Sequence, residues 1–354
     1  MVVGVTRRQL LARAGELAAS APLLSLVACG GASHPHDLEL RGRTMATTYR
    51  LRMRPPRAGL DGPRLHQGVA ALLRRVNAQM SRWRPESELS RFNASRSRDW
   101  FRVSGETAQV VSAALDMHAR SRGAFDPTIG PLAAVWGFGP GRTKHRVPDA
   151  AERRDGLTQI GAGGVAARHE PPALRKEDDA LTLDLGAIAQ GHALDEIARY
   201  LDDRAVPAWL LELGGELRSR GRATADRPWR VAIEGPSLEA DRPVAVVRLE
   251  DAAISTSGVH RQGFFADGRR YGHVLDPRTG APVRHGAVSV SVVAPTALEA
   301  DAWATALLVL GPVEGPPFAR DLRIAALWIE AFEPGWRLSR TPAFEALMTV
   351  GGTT

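Results

Sequence analysis

The stretch Leu181–Asp195 constrains the fold most, because its pattern of apolar residues changes period within a few positions. Leucines alternate with polar residues up to Leu185, which is the periodicity of a strand. Gly186 interrupts the alternation, and apolar residues then recur at helical spacing over Ala187–Leu201. The sequence therefore predicts a strand, a glycine turn and a helix in direct succession, with Asp184 at the end of the strand.

A turn of this kind has two interpretations. It brings free backbone N–H groups and a carbonyl to one place, which suits a phosphate group or a metal ion. It is also the ordinary connection between a strand and a helix, with an aspartate that supports the turn. The stretch taken alone favours the ordinary connection.

The composition bounds the class of protein. With 354 residues, of which 44% are hydrophobic, the chain can bury a sizeable core in one large domain or two. The formal net charge is +7, but arginines and acidic residues are interleaved, and Lys144 and Lys176 are the only lysines. Since no run of positive charge alternates with aromatic residues, we expect no nucleic-acid partner.

The N-terminal residues are typical of an export signal. Arg7 and Arg8 precede a weakly apolar run, a pattern that resembles a twin-arginine signal. Leu26–Ala28 followed by Cys29 resembles the lipobox of bacterial lipoproteins, in which the cysteine is lipidated and becomes the mature N-terminus. Cys29 is the only cysteine and so has no internal disulfide partner. A mature chain without stray thiols suits an oxidising compartment.

These features predict the domain organisation and the location of the protein. Residues 1–28 are predicted to be a signal peptide, residues 29–38 a short tether, and residues 39–354 the folded domain. We expect a periplasmic or extracytoplasmic protein, attached to a bacterial membrane through lipid on Cys29. A cleaved signal with an incidental cysteine is the alternative.

Helices and strands alternate along the rest of the chain. A strand pair is predicted over Asp37–Met53, and an Asp-Gly dipeptide predicts a hairpin turn within Phe264–Tyr271. The other periodic segments are Arg64–Met80, Thr107–Ser121 and Asp149–Leu157 as helices, and Trp209–Leu213, Trp229–Glu234, Val244–Leu249 and Val288–Val293 as strands. The hairpins after Val244 indicate antiparallel pairing.

The last long helix carries a pair of oxygen donors. Thr296 and Glu299 form a capping-box signature, and we expect the helix to run to about Leu310 and stop at Gly311. Asp301 and Thr305 are four residues apart and therefore share one face. Polar pairs on helices are usually exposed, but this aspartate lies among alanines and leucines, which favours burial for a purpose. A carboxylate and a hydroxyl together suit Mg²⁺ or Ca²⁺.

Two other acidic loops accompany this helix. Asp126 precedes a proline that restricts its backbone, and His273 at a strand end is followed by the similar dipeptide Asp276-Pro277. A lone histidine at a strand end is more often structural than catalytic, and the neighbouring acidic loop raises the odds of function only modestly.

Eight segments, taken together in order and spacing, resemble the ApbE family, the FAD:protein FMN transferases. A single glycine loop would be weak evidence, but eight ordered segments make coincidence implausible. The resemblance covers roughly Leu40 to the C-terminus. The segments are MATTY, MSRWRPESELSRFN, GAFDPTIGPLAAVWGFG, LDLGAIAQGHALD, LELGGELRSRG, AISTSG, RRYGHVLDPRTGAPV and APTALEADAWATAL.

The resemblance implies a fold and a reaction. The fold would be α+β, with mostly antiparallel sheets flanked by helices in the T-fold-like architecture of the family. The enzyme would bind FAD with Mg²⁺ and transfer the FMN half to a Thr or Ser hydroxyl of a partner protein, releasing AMP. Acceptors in the family are extracytoplasmic flavoproteins, including subunits of the sodium-translocating NADH:quinone reductase and of Rnf-type complexes. Their threonine lies in a motif resembling D-x-x-[ST]-G-A-[ST].

The resemblance also implies roles for particular residues. The carbonyl of Ala187, with Asp301 and Thr305, would hold Mg²⁺, and His273 would assist deprotonation of the acceptor hydroxyl. The FAD site would be lined by Met45, Trp83, Ala124, Phe125, Asp126, Asp184, Gln190, Val274 and Leu275. Within this set, Trp83 and Phe125 offer flat apolar surface for a ring system. The hydroxyls of Ser255, Thr256 and Ser257 are further candidates to donate to a phosphate.

One position departs from the family pattern, and two other functions compete with transfer. Gln190 stands where the family commonly has lysine, and a neutral amide lacks the charge that lysine would offer a phosphate or ring edge. If water replaces the protein hydroxyl, the chain would be an Mg²⁺-dependent FAD pyrophosphatase that yields FMN and AMP. The other alternative is a lipid-anchored FAD-binding protein without turnover.

Overall fold

The computed structural model describes residues 26–28, 38–54, 61–140, 145–235, 243–259, 262–332 and 335–349. The predicted leader before Leu26, the lipidation residue Cys29 and the tether up to Asp37 lie outside the described residues. Their assignments remain predictions.

Helices form where the sequence carries caps and apolar faces. The helices are α1 (Gly62–Met80), α2 (Glu88–Ala94), α3 (Gly105–Arg120), α4 (Gly130–Val135), α5 (Ala150–Thr158), α6 (Ala189–Asp202), α7 (Ala297–Asp321) and α8 (Pro342–Glu345). Side chains of Asp61, Ser87, Ser104, Asp149 and Thr296 accept hydrogen bonds from first-turn N–H groups. No helix in the described ranges has the length and apolar character needed to span a bilayer.

The strands are short and pair antiparallel. They are β1 (Leu26–Ala28), β2 (Leu38–Thr44), β3 (Thr47–Arg54), β4 (Phe101–Arg102), β5 (Val165–His169), β6 (Pro172–Lys176), β7 (Ala208–Leu213), β8 (Glu216–Arg220), β9 (Trp229–Ile233), β10 (Ala245–Leu249), β11 (Ala253–Gly258), β12 (Gly263–Ala266), β13 (Arg269–Gly272), β14 (Leu275–Asp276), β15 (Ala281–Pro282), β16 (Ala287–Ala294), β17 (Ala325–Phe332) and β18 (Gly335–Arg340). Strands β12 and β13 form the predicted hairpin, with Asp267 and Gly268 in its turn.

An eight-stranded antiparallel sheet organises the molecule, in the order β18-β17-β16-β11-β8-β7-β3-β2. One face packs against α7 and α6 in the main hydrophobic core, which includes Leu51, Leu211, Val290 and Leu307. The other face, with Leu210 and Ile254 among its residues, packs against β9 and β10. Helices flank a mostly antiparallel sheet, so the predicted α+β class is confirmed.

The segment before α6 differs from the prediction of a strand. Leu181–Leu185 keeps the alternating burial of a strand but belongs to no strand that the structure describes. Its pairing is supplied by one side chain instead: the Asn93 amide donates to the Leu183 carbonyl at 2.8 Å and accepts from the Leu183 N–H at 2.7 Å. The following helix begins at Ala189, two residues later than predicted.

The last long helix is interrupted at Gly311, as predicted. Gly311 leaves the helical conformation as expected, with φ of 72°. The chain then resumes a helix that continues to Asp321 and contains Pro312, Pro316 and Pro317. The predicted stop at Gly311 is therefore confirmed, and the helical segment that follows it directly was not predicted.

Candidate functional site

Two helices meet at Gly191 and Asp301, where the turn before α6 packs against α7. Asp301 is 4% exposed, and its Oδ2 accepts a hydrogen bond of 3.1 Å from the Gly191 N–H. Gly191 is the third residue of α6, and the N–H groups of a first helical turn have no acceptor within the helix, so Asp301 satisfies a donor that would otherwise need another partner. The contact requires glycine, since a Cβ there would lie 2.3 Å from the Ala297 carbonyl oxygen. The Asp301 carboxylate thus fixes the first turn of α6 against α7.

Asp195 fixes the relative position of the same two helices, and sequence reasoning missed it. Its two carboxylate oxygens accept from the Ala297 and Leu298 N–H groups at 2.9 and 3.0 Å, at the N-terminus of α7. It also forms an ion pair with Arg218 of β8. The helix N-terminus favours this negative charge. The signal was the spacing from Gly191 to Asp195, which places both residues on one face of α6.

The hydroxyl pair on β11 divides between the two faces of the sheet. Ser257 Oγ lies 2.9 Å from Thr305 Oγ1, so it faces α7 one turn beyond Asp301. Thr256 points to the opposite face, where its Oγ1 lies 2.8 Å from Ser291 Oγ in a buried pair. Since alternate strand residues face opposite sides, Thr256 is not available to a phosphate on the α7 side. We call Gly191, Asp301, Thr305 and Ser257 the helix side of the site.

The glycine turn positions Asp184 beside the helix side. The Asp184 N–H donates to the Pro127 carbonyl at 2.7 Å, and Oδ1 accepts from the Gly186 N–H at 2.9 Å. Its other oxygen, Oδ2, lies 2.5 Å from an Arg82 nitrogen in a largely buried ion pair. The carboxylate is therefore fixed at both oxygens.

Arg82 was not predicted as a site residue, yet it joins three segments. Besides Asp184, its guanidinium donates to the Phe138 carbonyl at 3.1 Å and lies 5.0 Å from the centroid of the Trp83 ring. The Trp83 side chain is 61% exposed, so its flat surface remains available to a ligand. A cation behind an exposed indole holds the ring in place by a cation–π contact.

The GAFDP loop supplies a rigid wall and not a second ring surface. Asp126 Oδ1 accepts from the N–H and hydroxyl of Thr128, at 2.7 and 2.5 Å. Ala124 and Phe125 are buried in the main core, Phe125 to 3% exposure. The expectation that Phe125 offers exposed ring surface is therefore wrong, because the core requires its apolar side chain.

Two strand turns converge near Gln190. Met45 and Ala46, between β2 and β3, both have positive φ, 47° and 57°. Strained non-glycine residues of this kind concentrate at ligand sites. In the neighbouring β7–β8 turn, a Cβ added at Gly214 would lie 2.8 Å from Gln190 Nε2. The neutral amide thus lies against the backbone of the second turn.

Aromatic side chains surround His273. Its Nδ1 lies 3.2 Å from the Gln262 carbonyl oxygen, and its ring meets that of Phe138 edge-on, with centroids 6.5 Å apart. His145 stacks on Phe264, with centroids 5.5 Å apart, and Phe264 stacks on Tyr271 at 5.4 Å. We call these five residues, Phe138, His145, Phe264, Tyr271 and His273, the aromatic side.

The residues after His273 extend this wall. The Val274 carbonyl accepts from the Val283 N–H at 3.0 Å, and Leu275 is buried with Trp136 and Tyr271. Arg82 connects the aromatic side to Asp184 through the Phe138 carbonyl. A chain of contacts therefore runs from Asp184 through Arg82 and Phe138 to His273.

This arrangement suits a phosphate-bearing ligand with an aromatic group. Nowhere in the described residues do three His, Cys, Asp or Glu side chains converge, so a cation there would rely on mixed oxygen donors. The aromatic side and the exposed Trp83 offer ring surface, and His273 offers an imidazole.

Comparison with known proteins decides the family. A sequence model described as the ApbE family matches residues 45–328. The chain belongs to the ApbE family. The FAD:protein FMN transferase of Salmonella typhimurium is 36% identical over 317 residues, 87% of this chain and 89% of that protein. The one from Vibrio cholerae is 35% identical over 328 residues, 92% of this chain and 98% of that protein.

Solved structures of ApbE proteins share the fold. The crystal structure of Pseudomonas stutzeri flavinyl transferase ApbE in its apo form superposes with a TM-score of 0.82, at 35% identity. The superposition covers 89% of this chain and 98% of that one. The ApbE architecture predicted for the chain is therefore confirmed.

Proposed function

We propose that this protein is an FAD:protein FMN transferase that depends on Mg²⁺, attaches FMN to a Thr or Ser hydroxyl of an acceptor flavoprotein and releases AMP. The contact between Asp301 and the Gly191 N–H supports the proposal most, because it fixes a buried carboxylate at the first turn of α6, directly after the glycine turn that contains Ala187. The named transferase activity of relatives at 34–36% identity supports the same reaction.

The residues present fit Mg²⁺. Asp301, Thr305 and the carbonyl of Ala187 would hold it through a carboxylate, a hydroxyl and a carbonyl, all hard oxygen donors. Mg²⁺ often binds proteins through one or two carboxylates and completes its shell with water and substrate phosphates, so one carboxylate suffices. When bound, Mg²⁺ neutralises charge on the pyrophosphate and on the departing AMP.

The residues of the chain would position the reactants for an in-line displacement. The acceptor oxygen forms a bond to the phosphorus of the FMN half, and the anhydride bond to the AMP phosphate breaks. Asp184 and Asp126, both rigidly held, accept hydrogen bonds from ribityl or ribose hydroxyls or from ring N–H groups. Trp83 and the aromatic side bind the ring system. His273 takes the proton of the acceptor hydroxyl, with its Nδ1 held at the Gln262 carbonyl.

The location of the protein belongs to the same proposal. A lipid on Cys29 would anchor the enzyme to the outer face of a bacterial membrane, where extracytoplasmic flavoproteins are made. The lipobox-like run Leu26–Ala28 and the absence of any other cysteine support this. Subunits of the sodium-translocating NADH:quinone reductase and of Rnf-type complexes are the proposed acceptors.

One incubation tests the function. The protein is mixed with FAD, Mg²⁺ and a purified acceptor domain that carries a D-x-x-T-G-A-T motif, and the acceptor is examined by mass spectrometry. We expect one FMN per acceptor and an equal amount of AMP, both lost with a chelator. Steady release of FMN without covalent flavin would show a pyrophosphatase, and bound FAD without AMP would show a binding protein.

A further inference from the structure

The β12–β13 hairpin has two faces of different character. Its inner face carries Phe264 and Tyr271, which stack on each other within the aromatic side. Phe265 lies between them in sequence on the outer face and is 75% exposed. Exposing a large apolar side chain to water to this extent is thermodynamically unfavourable unless another group covers it. Single exposed apolar residues are common, so its surroundings decide its meaning.

The hairpin also has unpaired edges. Within the part of the chain that the structure describes, β12 and β13 pair only with each other. An isolated pair of strands presents backbone N–H and C=O groups to which an extended peptide can add as a further strand.

Positive charge surrounds the exposed phenylalanine. Arg270 is directly opposite Phe265 in the strand register, and Arg269 precedes it, both exposed. Arg284 lies over the Tyr271 ring at 5.6 Å and is also exposed. Asp267, in the turn, is the only acidic residue of the hairpin. The surface therefore complements an acidic partner and repels a basic one.

The hairpin leads directly to His273. Strand β13 ends at Gly272, and the His273 N–H and Nδ1 both approach the Gln262 carbonyl at 3.2 Å, at the base of the hairpin. Phe265 is three residues from Gln262, which corresponds to about 10 Å of extended strand. A peptide lying along the hairpin from Phe265 would thus reach the imidazole within three or four residues.

We propose that the outer face of this hairpin, Phe265 with Arg269 and Arg270, docks the acceptor. The occupant is an extended, acidic segment of the acceptor protein that carries the hydroxyl. It adds along the hairpin edge, places an apolar side chain on Phe265 and presents its hydroxyl to His273. This inference rests on the proposed transferase function and deepens it, because it separates the acceptor surface from the FAD site.

A matched pair of variants tests the docking surface. Phe332 on the β17–β18 hairpin is also an exposed phenylalanine, at 59%, and it belongs to neither the helix side nor the aromatic side. We measure KM for the acceptor domain with the D-x-x-T-G-A-T motif, KM for FAD, and thermal stability. Phe265→Ala is expected to raise KM for the acceptor about tenfold, as for an interface anchor. Phe332→Ala is expected to leave it unchanged.

The other outcomes are distinct. Equal acceptor KM values for Phe265→Ala and Phe332→Ala would overturn the docking surface. So would a matching rise in KM for FAD, since the hairpin would then shape the flavin site. If the unmodified enzyme transfers no flavin to the acceptor, the proposed function fails instead. The activity of the unmodified enzyme therefore distinguishes a failure of the proposed function from a failure of the docking surface.

Charge exchange gives a second, independent test. At low salt, Arg269→Glu is expected to have a higher KM than the unmodified enzyme for the D-x-x-T-G-A-T acceptor. For an acceptor whose motif aspartate is replaced by lysine, the same variant is expected to have a lower KM than the unmodified enzyme. The difference is expected to shrink as NaCl is added, because salt screens exposed charges. Identical KM changes for the two acceptors would overturn the proposal that the docked segment is acidic.

Discussion

The helix side and the aromatic side of the site are built from different structural material. On the helix side, Asp301 and Gly191 belong to helices that pack in the main core, and their hydrogen bond is buried. On the aromatic side, His273 and Phe264 belong to a small hairpin and its base, with one ring stacked on the next. The helix side is therefore positioned by packing in the main core, whereas the aromatic side is positioned by local contacts.

This difference indicates a division of labour. Charge on a pyrophosphate is best neutralised by donors that do not move, which requires a buried, rigid scaffold. A protein acceptor must approach and leave, which requires surface elements that few core contacts restrain. Substitutions on the helix side should therefore change stability and activity together, whereas those near the aromatic side should change activity with little effect on stability.

The largest effect is expected at Asp301. Asp301→Ala should abolish AMP release, by about a thousandfold or more, and should lower the free energy of unfolding by about 1–3 kcal/mol, because the Gly191 N–H loses its acceptor. Asp301→Asn keeps an oxygen for that N–H but lacks the charge, so it should recover stability and not activity. AMP chromatography and urea unfolding measure the two quantities. Substantial activity in both variants would count against the Mg²⁺ site.

The second expected effect concerns acid stability at His192 of α6. Burial lowers the pKa of His192 from 6.5 to about 4, with the nearby charge of Arg199 acting in the same direction. The unfolded chain therefore binds a proton between pH 6.5 and about 4 while the folded protein does not, so stability falls as the pH falls through this window. We expect a loss of about 2 kcal/mol from this group between pH 7 and pH 5.

A pair of variants isolates this contribution. The free energy of unfolding of His192→Leu, measured in urea at pH 7 and pH 5, should fall by about 2 kcal/mol less between these pH values than that of the unmodified protein. His145→Leu, in the aromatic side, should retain the full difference, since it leaves His192 in place. If both variants lose the same free energy of unfolding between pH 7 and pH 5, the buried imidazole of His192 is not the source of the acid destabilisation.

The smallest of the three effects is expected at Arg82, which links Asp184 to the aromatic side. Arg82→Met keeps an apolar stem but loses the ion pair and the bond to the Phe138 carbonyl, so FAD affinity should fall about tenfold. Stability should also fall, because the largely buried Asp184 carboxylate loses its cation. Arg84→Met provides the control, because among the described residues Arg84 forms an ion pair with the exposed Glu86 alone, on the surface. Flavin fluorescence titration measures both. An equal loss of affinity in the control would contradict a specific role for Arg82.

Much of the fold was accessible from local sequence signals. The capping residue Thr296 marked the start of the last long helix, and the Asp267-Gly268 dipeptide marked the hairpin. Apolar periodicity located α1, α3 and some of the strands, such as β7, β10 and β16. These signals succeed because each depends on neighbours within a few residues.

Contacts between distant residues were not accessible in this way. The strand predicted at Leu181–Leu185 has the correct alternation, but its hydrogen-bond partner is the side chain of Asn93. A periodic pattern cannot predict a hydrogen bond to one distant side chain. Arg82 and Asp195 act through partners about one hundred residues away in sequence. Phe125 fits an aromatic wall by residue type, yet only the packed core decides that its ring is buried.

The Asn93 clamp has a consequence for how this protein can change over evolution. The Lys176 ammonium adds to it by donating to the Asn93, Asp179 and Leu181 carbonyls. Together they fasten the returning end of the excursion that contains α5, β5 and β6, just before Asp184. Because the cost of closing a flexible loop rises by only about 0.6 kcal/mol for each doubling of its length, the loops between these elements can lengthen or shorten at little thermodynamic cost. Relatives can therefore vary in this region while the aspartate that follows keeps its place.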